Sequence, residues 1–369
     1  MIKRTICDDD LETPAQNPSH THLNADRTPV SFGTESEVDD FMTQPSRAVV
    51  DALRGGEGNI VCLGVGGKMG HTLATLAVNA IEQANGDRTV FGVSRFSDDR
   101  AAQKLQSSGV TTVRCDLLDS AALDNLPDAT DVIFLAGRKF GSTGAESLTW
   151  ALNVYMPGLV AERYRDARIV VFSTGNVYPF SPANGAGADE STLPAPVGEY
   201  AQSCLGRERV FQHFSEEFGT RVCIMRLNYA IDMRYGVLLD IGSRVLNRQS
   251  VDLSMGYVNV IWQGEACDRA LRCLGIASSP ASVLNVTGAE TLSVRWIAER
   301  FGECFDIAPR FEGGESPEAL LSDASRCADL FGPPQVSARQ MIDWVAGWLA
   351  SGGPTLMKPT GYEVRDGRF

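Results

Sequence analysis

The sequence predicts an α/β fold: a doubly wound parallel sheet with a smaller C-terminal substrate lobe. Three observations carry this expectation. Short apolar runs alternate with helical stretches from Asn59 to Arg226, and such runs read as buried parallel strands with helices on both faces. A glycine-rich turn, Gly64-Val65-Gly66-Gly67-Lys68-Met69-Gly70, joins the first run to the first long helix. After about Asp232 the periodicity becomes mixed and Gly and Pro recur, as expected of a smaller, inserted lobe.

Taken in order, residues 1–33 are rich in Asp, Asn, Thr, Pro and His and read as a flexible tail. Residues 34–56 read as a helical extension. Ser36 is the expected cap of a helix with Val38, Phe41 and Met42 on one face. Pro45 interrupts it, Ser46 to Leu53 form a second short helix, and Gly55-Gly56 stop that one. The extension is expected to pack outside the main sheet or against a second subunit. Residues 57–231 read as the nucleotide-binding domain, with strands at 60–63, 89–93, 110–114, 131–135, 168–172 and 221–226 and a helix over 68–83. Residues 232–350 read mainly as the substrate lobe, and 351–369 as a C-terminal tail with no clear element.

Composition narrows the function classes. Of 369 residues, 43% are hydrophobic and 21% charged, an ordinary globular balance. The net charge of −13 argues against a general nucleic-acid binder. Nine scattered cysteines without C-x-x-C spacing point to a reducing compartment rather than a disulfide framework. The four histidines, His20, His22, His71 and His213, make no convincing metal set. The opening residues reach Asp8-Asp9-Asp10 without an apolar core, so no signal peptide is read there. No stretch approaches the roughly 20 apolar residues of a membrane span, and the cytoplasm is the expected location.

The glycine turn has the strand–turn–helix context of a dinucleotide site. Gly64 permits the tight turn, Gly67 admits a pyrophosphate to the backbone, and Gly70 lets helix and strand approach. Free N–H groups at the helix start then face the phosphates; His71 is at most their neighbour. The second strand ends at Ser94-Arg95, where a carboxylate would accept the 2′-hydroxyl of NAD. A hydroxyl and a guanidinium suit a 2′-phosphate instead, so NADP is expected, with NAD the alternative. Asp98 and Asp99 stand slightly late, yet near enough to reverse the preference. Asp116, after the third strand, is placed for the adenine amino group or as a strand-end cap.

These residues resemble the extended short-chain dehydrogenase/reductase superfamily, which holds the NAD-dependent epimerases and dehydratases, across roughly 57–350. The marks, in order, are Gly64, Gly67 and Gly70; Cys115-Asp116-Leu117-Leu118-Asp119; Phe134-Leu135-Ala136-Gly137; Asn153; and Ser173-Thr174-Gly175-Asn176-Val177-Tyr178. Tyr200, Glu208, Arg226-Leu227-Asn228, Asn285-Val286-Thr287-Gly288 and Leu292-Ser293-Val294 follow. The resemblance implies a Rossmann-type fold and a cofactor site of Gly64, Gly66, Gly67, Lys68, Met69, Gly70, Ser94, Arg95, Asp116, Leu117, Ala136 and Gly137. It also implies Thr174 as the hydroxyl that orients substrate, Tyr200 as the acid/base, Asn153 beside them, and a homodimer built on the tyrosine helix.

The chain departs from that pattern in three places. Cys204 stands where the family's Tyr-x-x-x-Lys carries its lysine, and an unassisted phenol near pKa 10 is about a thousandth ionised at neutral pH. Arg207, Arg138 and Lys139 are the candidate substitutes, and Cys204 itself as a nucleophile is a lesser option. No Arg occupies the usual diphosphate-gripping place in Gly256-Tyr257-Val258-Asn259-Val260-Ile261-Trp262-Gln263-Gly264, and Gly264 replaces an Asp; Arg234, Arg244 and Arg248 are possible replacements. Gly175-Asn176 stand where dehydratases carry an acid pair, which argues against water elimination. Arg326 is a further candidate for the substrate lobe. Two functions follow. One is an NAD(P)-dependent oxidoreductase or epimerase of a carbohydrate-like small molecule. The other is a cofactor-binding structural or sensing subunit with a degenerate site.

Overall fold

The computed structural model describes residues 28–369. Cys7, His20, His22 and most of the segment read as a tail lie outside the described residues. The central sheet has seven parallel strands: β1 (Ile60–Leu63), β2 (Val90–Ser94), β3 (Thr111–Arg114), β4 (Asp131–Phe134), β5 (Arg168–Thr174), β6 (Arg221–Leu227) and β7 (Ser282–Val286). Their order is β7-β6-β5-β4-β1-β2-β3. Leu63 lies opposite both Val93 of β2 and Phe134 of β4. The order therefore reverses beside β1, and the crevice at the carboxyl end of that strand is the natural ligand position of an open α/β sheet.

The sequence boundaries shift where turn chemistry overrides periodicity. Helix α3 (Gly70–Gln83) begins at Gly70, not at Lys68, because residues 64–69 form the turn. β5 runs on to Thr174 and β6 to Leu227, so functional positions sit on strand ends. β7 lies within the stretch read mainly as the substrate lobe, yet it pairs with β6 over Ser282–Val286.

The N-terminal extension forms α1 (Glu35–Met42) and α2 (Arg47–Leu53). Thr34, not Ser36, caps α1: its Oγ1 accepts from Glu37 N at 3.2 Å, while Ser36 is exposed. Ser46 caps α2 by accepting from Val49 N. Both helices pack within this chain. Phe32 and Phe41 join Trp262 and Trp344 in an aromatic cluster with ring centroids 5.0–6.2 Å apart. Trp344 Nε1 donates to Pro29 O at 2.9 Å, so the residues just before α1 are held in place. Asp39 is bridged by Lys104 and Arg234. The absent Asp at Gly264 has a packing reason: a Cβ there would stand 3.1 Å from Met42 Cα, so glycine lets α1 settle on the helix that starts at Gln263.

Helix α4 (Gly198–Phe218) lies on β5 and β6 and carries Tyr200, Cys204, Arg207 and Glu208. Glu208 is fully buried and takes Arg226 bidentately, Nε at 3.0 Å and Nη2 at 2.6 Å. Arg226 Nη1 donates to Tyr178 Oη, which donates to Asn285 Oδ1, each at 2.8 Å. The Glu, Arg, Tyr and Asn read from the sequence thus form one buried rivet joining α4, β6, the turn after β5, and β7. The segment after residue 350 has no regular element, yet Thr360 and Tyr362 are buried.

Candidate active site

The glycine turn builds a cradle. Gly64 has φ +94, and a Cβ there would lie 2.7 Å from Ala136 N and Cα. A Cβ on Gly70 would lie 2.3 Å from Val65 Cα, so this glycine sets the approach of α3 to the turn. Gly67 differs: its Cβ would meet only Gly64 O, at 3.4 Å, leaving its outer face open. The Lys68 and Met69 amides take no backbone partner among the described residues. Open space over Gly67 beside free N–H groups fits a diphosphate.

A cleft of about 710 Å³ runs from this cradle past Gly66, Ser94, Arg95, Asp116, Leu117, Ala136 and Gly137. It joins nine of the twelve expected cofactor residues, counting Gly64 and Gly67. Arg95 is exposed at the rim, and its guanidinium has no partner among the described residues. The two carboxylates able to reverse the cofactor preference are engaged elsewhere, Asp98 with Arg100 and Asp99 with Arg114. Asp116 lines the cleft and also accepts from Leu118 N at 3.1 Å. His71 lies off the cradle, within electrostatic reach of Lys104 and Asp39, and burial pushes its pKa down to about 4.

A second cavity of about 310 Å³ opens from the same turn and contains Lys68, Met69 and Gly70 together with Thr174, Asn176, Tyr200, Lys139, Tyr229, Tyr235 and Thr360. It shares Gly64, Gly67 and Leu135 with the cleft, so the two are continuous. Lys68 Nζ donates to Ala230 O at 2.7 Å and lies 4.4 Å from the Tyr235 ring centroid; burial lowers its pKa to about 8. Thr174 Oγ1 accepts from Asn176 N at 3.2 Å and donates to Asn176 Oδ1 at 3.1 Å, and it lines the same cavity as Tyr200. Tyr229, at φ +40, is held in the left-handed region on the cavity wall, a strained conformation of the kind that clusters at ligand sites.

Burial raises the Tyr200 pKa well above the usual phenol value; the neighbouring Cys204 adds to this, while Arg207 and Thr174 oppose it. Burial likewise raises the Cys204 thiol, which is 1% exposed, so it is no ready nucleophile. Of the three candidate cations, Arg207 is the one whose charge opposes the rise of the Tyr200 pKa. Its Nη1 donates to Phe172 O at 2.8 Å and its Nη2 to Asn153 Oδ1 at 2.9 Å. Asn153 lies in a single π-helical turn, Ala151–Tyr155. It bonds Arg138 N and O at 2.8 and 2.9 Å and Ser203 Oγ at 2.9 Å. With no exposure and all its polar atoms engaged, Asn153 positions Arg207 and the loop after β4 rather than touching substrate.

Other sequence candidates are placed elsewhere. Arg234 is held by Asp232, Asp39 and Glu35, and Arg244 by Glu363. Arg248 is exposed, and Arg138 donates to Gly141 O in its own loop. Arg326 is an exposed residue bonded to Val283 O and does not line the cavity. Among the described residues no group of three or more His, Cys, Asp or Glu side chains is placed to hold a metal ion. No helix among them is long and apolar enough to cross a membrane. Sequence reading missed Tyr229, Tyr235 and Thr360 as cavity walls: Tyr229 directly follows the Arg226-Leu227-Asn228 motif, whereas Thr360 lies in a segment with no periodicity.

Residues 60–231 match the model of the NAD dependent epimerase/dehydratase family, and the sheet order and glycine cradle are consistent with the extended short-chain dehydrogenase/reductase superfamily. Among solved structures the chain is similar to MoeE5 in complex with UDP-glucose and NAD, at 19% identity and TM-score 0.62, covering 80% of this chain and 99% of that one. It is similar to a UDP-glucose 4-epimerase with UDP-glucose from Thermotoga maritima, at 16% identity and TM-score 0.63, covering 80% and 99%. A third is a UDP-glucuronic acid 4-epimerase mutant from Bacillus cereus with a fluorinated UDP-sugar and NAD, at 15% identity and TM-score 0.64, covering 79% and 99%. At such identities these likenesses establish the fold. No curated protein matches the sequence.

Proposed function

We propose that this protein is an NAD(P)-dependent oxidoreductase or epimerase acting on a hydroxyl or ketone of a carbohydrate-like small molecule, with NADP the preferred cofactor. The observation that carries this reading is the meeting of Thr174 and Tyr200 in a cavity continuous with the dinucleotide-shaped cleft. When bound, the nicotinamide supplies a hydride acceptor or donor. The chain's own residues do the rest. Thr174 orients the reacting oxygen, Tyr200 Oη gives or takes its proton, and Asn153 fixes Arg207, whose charge favours the phenolate. The open cavity and the retained pair favour this reading over a cofactor-binding subunit without chemistry. A homodimer through α4 fits the exposure of Leu148, Trp150 and Tyr155 on the neighbouring helical segment.

Two variants test the reading here. Arg95→Ala is expected to weaken NADP binding about 10–100-fold, the loss of a charged hydrogen bond to phosphate, and to leave NAD binding nearly unchanged. Calorimetric titration with both nucleotides checks it; equal loss for both contradicts the 2′-phosphate role. Arg207→Met is expected to move the pH at which alcohol oxidation reaches half its maximum upward by about 1–3 units, the usual effect of losing one adjacent opposite charge. Arg207→Lys restores part of the shift. A pH–rate profile that keeps its midpoint reduces Arg207 to packing.

A further inference from the structure

Thr360 lines the substrate cavity, and Gly361, Val364, Arg365, Gly367 and Phe369 close the narrow space beside it. Thr360 N and Oγ1 donate to Asp240 Oδ2 at 2.7 and 2.6 Å, and Thr360 O accepts from Lys139 Nζ at 3.0 Å. Arg365 Nη1 donates to Glu318 O at 2.9 Å and to Ser254 O at 3.2 Å, and its guanidinium lies 4.2 Å from the Phe180 ring centroid. Phe369 O accepts from Thr143 N at 3.3 Å and Ser142 Oγ at 3.2 Å. Gly367 and Gly198 meet backbone to backbone: a Cβ on Gly367 would stand 2.3 Å from Val197 O, and one on Gly198 2.4 Å from Gly367 O. The Phe369 ring meets Tyr200 edge to face, with centroids 5.5 Å apart. The segment is thus seated by both lobes and touches the candidate acid/base.

Closure leaves little room. Between Tyr178, Phe180, Tyr229 and the returning segment the remaining space is about 20 Å³, enough for about one water molecule. The open part of the cavity, about 310 Å³, sits at the lower end of the roughly 300–1,000 Å³ of ligand pockets and still has to admit the nicotinamide end of the cofactor. A sugar ring fits; a nucleoside diphosphate carried with it would need the adjoining space that Val364, Arg365 and Phe369 narrow to about 20 Å³.

The charge inside the cavity points the same way. Lys139 Nζ lies 4.4 Å from the Phe369 centroid and 5.9 Å from the Tyr200 centroid. Its only hydrogen-bond partner among the described residues is Thr360 O, which leaves donors unused. The nearby carboxylates are engaged, Asp240 by Thr360 and Glu363 by Arg244. A half-buried ammonium with no salt-bridge partner among the described residues, subject only to the more distant charges of Asp240 and Glu363 and one ring away from the tyrosine, is suited to receive a single negative group. A carboxylate matches its charge, whereas a phosphate dianion would leave charge uncompensated.

We propose that residues 360–369 act as a fixed specificity wall and that the substrate is a monosaccharide-sized hydroxy or keto acid, its carboxylate held by Lys139 and its reacting oxygen presented to Thr174 and Tyr200. This deepens the oxidoreductase reading and rests on it.

The test is calorimetric titration of the full chain, saturated with NADP⁺, with D-glucuronate, D-gluconate, D-glucose, glucose 6-phosphate and UDP-glucose as probes. At least one sugar acid is expected to bind tenfold or more tighter than glucose and than the phosphate, and UDP-glucose not to bind. Lys139→Met is expected to lose at least tenfold in acid affinity with glucose unchanged. Phe369→Ala, which keeps the backbone seat, and deletion of 360–369 are each expected to admit UDP-glucose. Tightest binding by UDP-glucose or by the phosphate in the full chain, an acid affinity untouched by Lys139→Met, or no binding by either acid overturns the proposal. Exclusion of UDP-glucose by Phe369→Ala overturns the wall even if the deletion fails to fold. The saturating NADP⁺ titration separates the two readings: intact cofactor binding with any of these failures removes only the substrate class.

Discussion

Tyr200→Phe is expected to lower kcat for hydroxyl–ketone interconversion about 10²–10⁴-fold, the usual contribution of a positioned proton-transfer group, and to leave dinucleotide affinity unchanged. The separation follows from where the side chain sits. Tyr200 lines the substrate cavity and not the dinucleotide cleft. Its ring keeps its contact with Phe369 in the variant, and only the hydroxyl in the cavity that Thr174 also lines is lost. The wild-type pH dependence carries a second signature. Burial raises the phenol pKa, so the ligand-free protein at neutral pH holds a protonated Tyr200, ready to donate to a ketone. Reduction is therefore expected to be nearly flat from pH 6 to pH 9, while oxidation, which needs the phenolate, rises about tenfold per pH unit through that window. Turnover undiminished in Tyr200→Phe would remove the residue from the chemistry.

Glu208→Ala is expected to destabilise the fold by about 3–5 kcal/mol, because removing one partner of a buried pair strands the other charge. Glu208 is fully buried and Arg226 is 3% exposed, and Ser173 Oγ also donates to Glu208. Without the carboxylate, Arg226 keeps Tyr178 Oη but has no counter-charge among the described residues within ion-pair reach. Glu208→Gln, which keeps shape and acceptor, is expected to cost less. Urea unfolding followed by tryptophan fluorescence checks both; a loss under about 1 kcal/mol for the alanine variant contradicts the rivet's structural role.

The cradle was legible because its physics is local. Gly64, Gly67 and Gly70 act within one turn, and their spacing reports the close approaches that the structure contains. Ser94, Arg95 and Asp116 were legible because strand ends fix their positions relative to that turn. What escaped depends on contacts between distant residues. Phe32 reads as tail until Trp344 and Trp262 cover it. Ser36 and Thr34 are equally good caps by type, and only backbone geometry at Thr34 decides between them. Residues 360–369 carry no periodicity, since backbone hydrogen bonds and glycine contacts hold them rather than an apolar face. The substitution at Cys204 and Arg207 as a candidate to offset it were plain in the sequence, but the bond that holds Arg207 was not, because Asn153 and Arg207 lie 54 positions apart.

The most direct test of the central claim is to denature the purified protein, identify any released nucleotide, and titrate the stripped protein with NADP(H) and NAD(H). The account predicts saturable binding of a nicotinamide dinucleotide, tighter for NADP(H), with one nucleotide per chain. Binding of neither contradicts the cradle and the chemistry built on it, and retained NAD with no affinity for NADP contradicts the role given to Arg95.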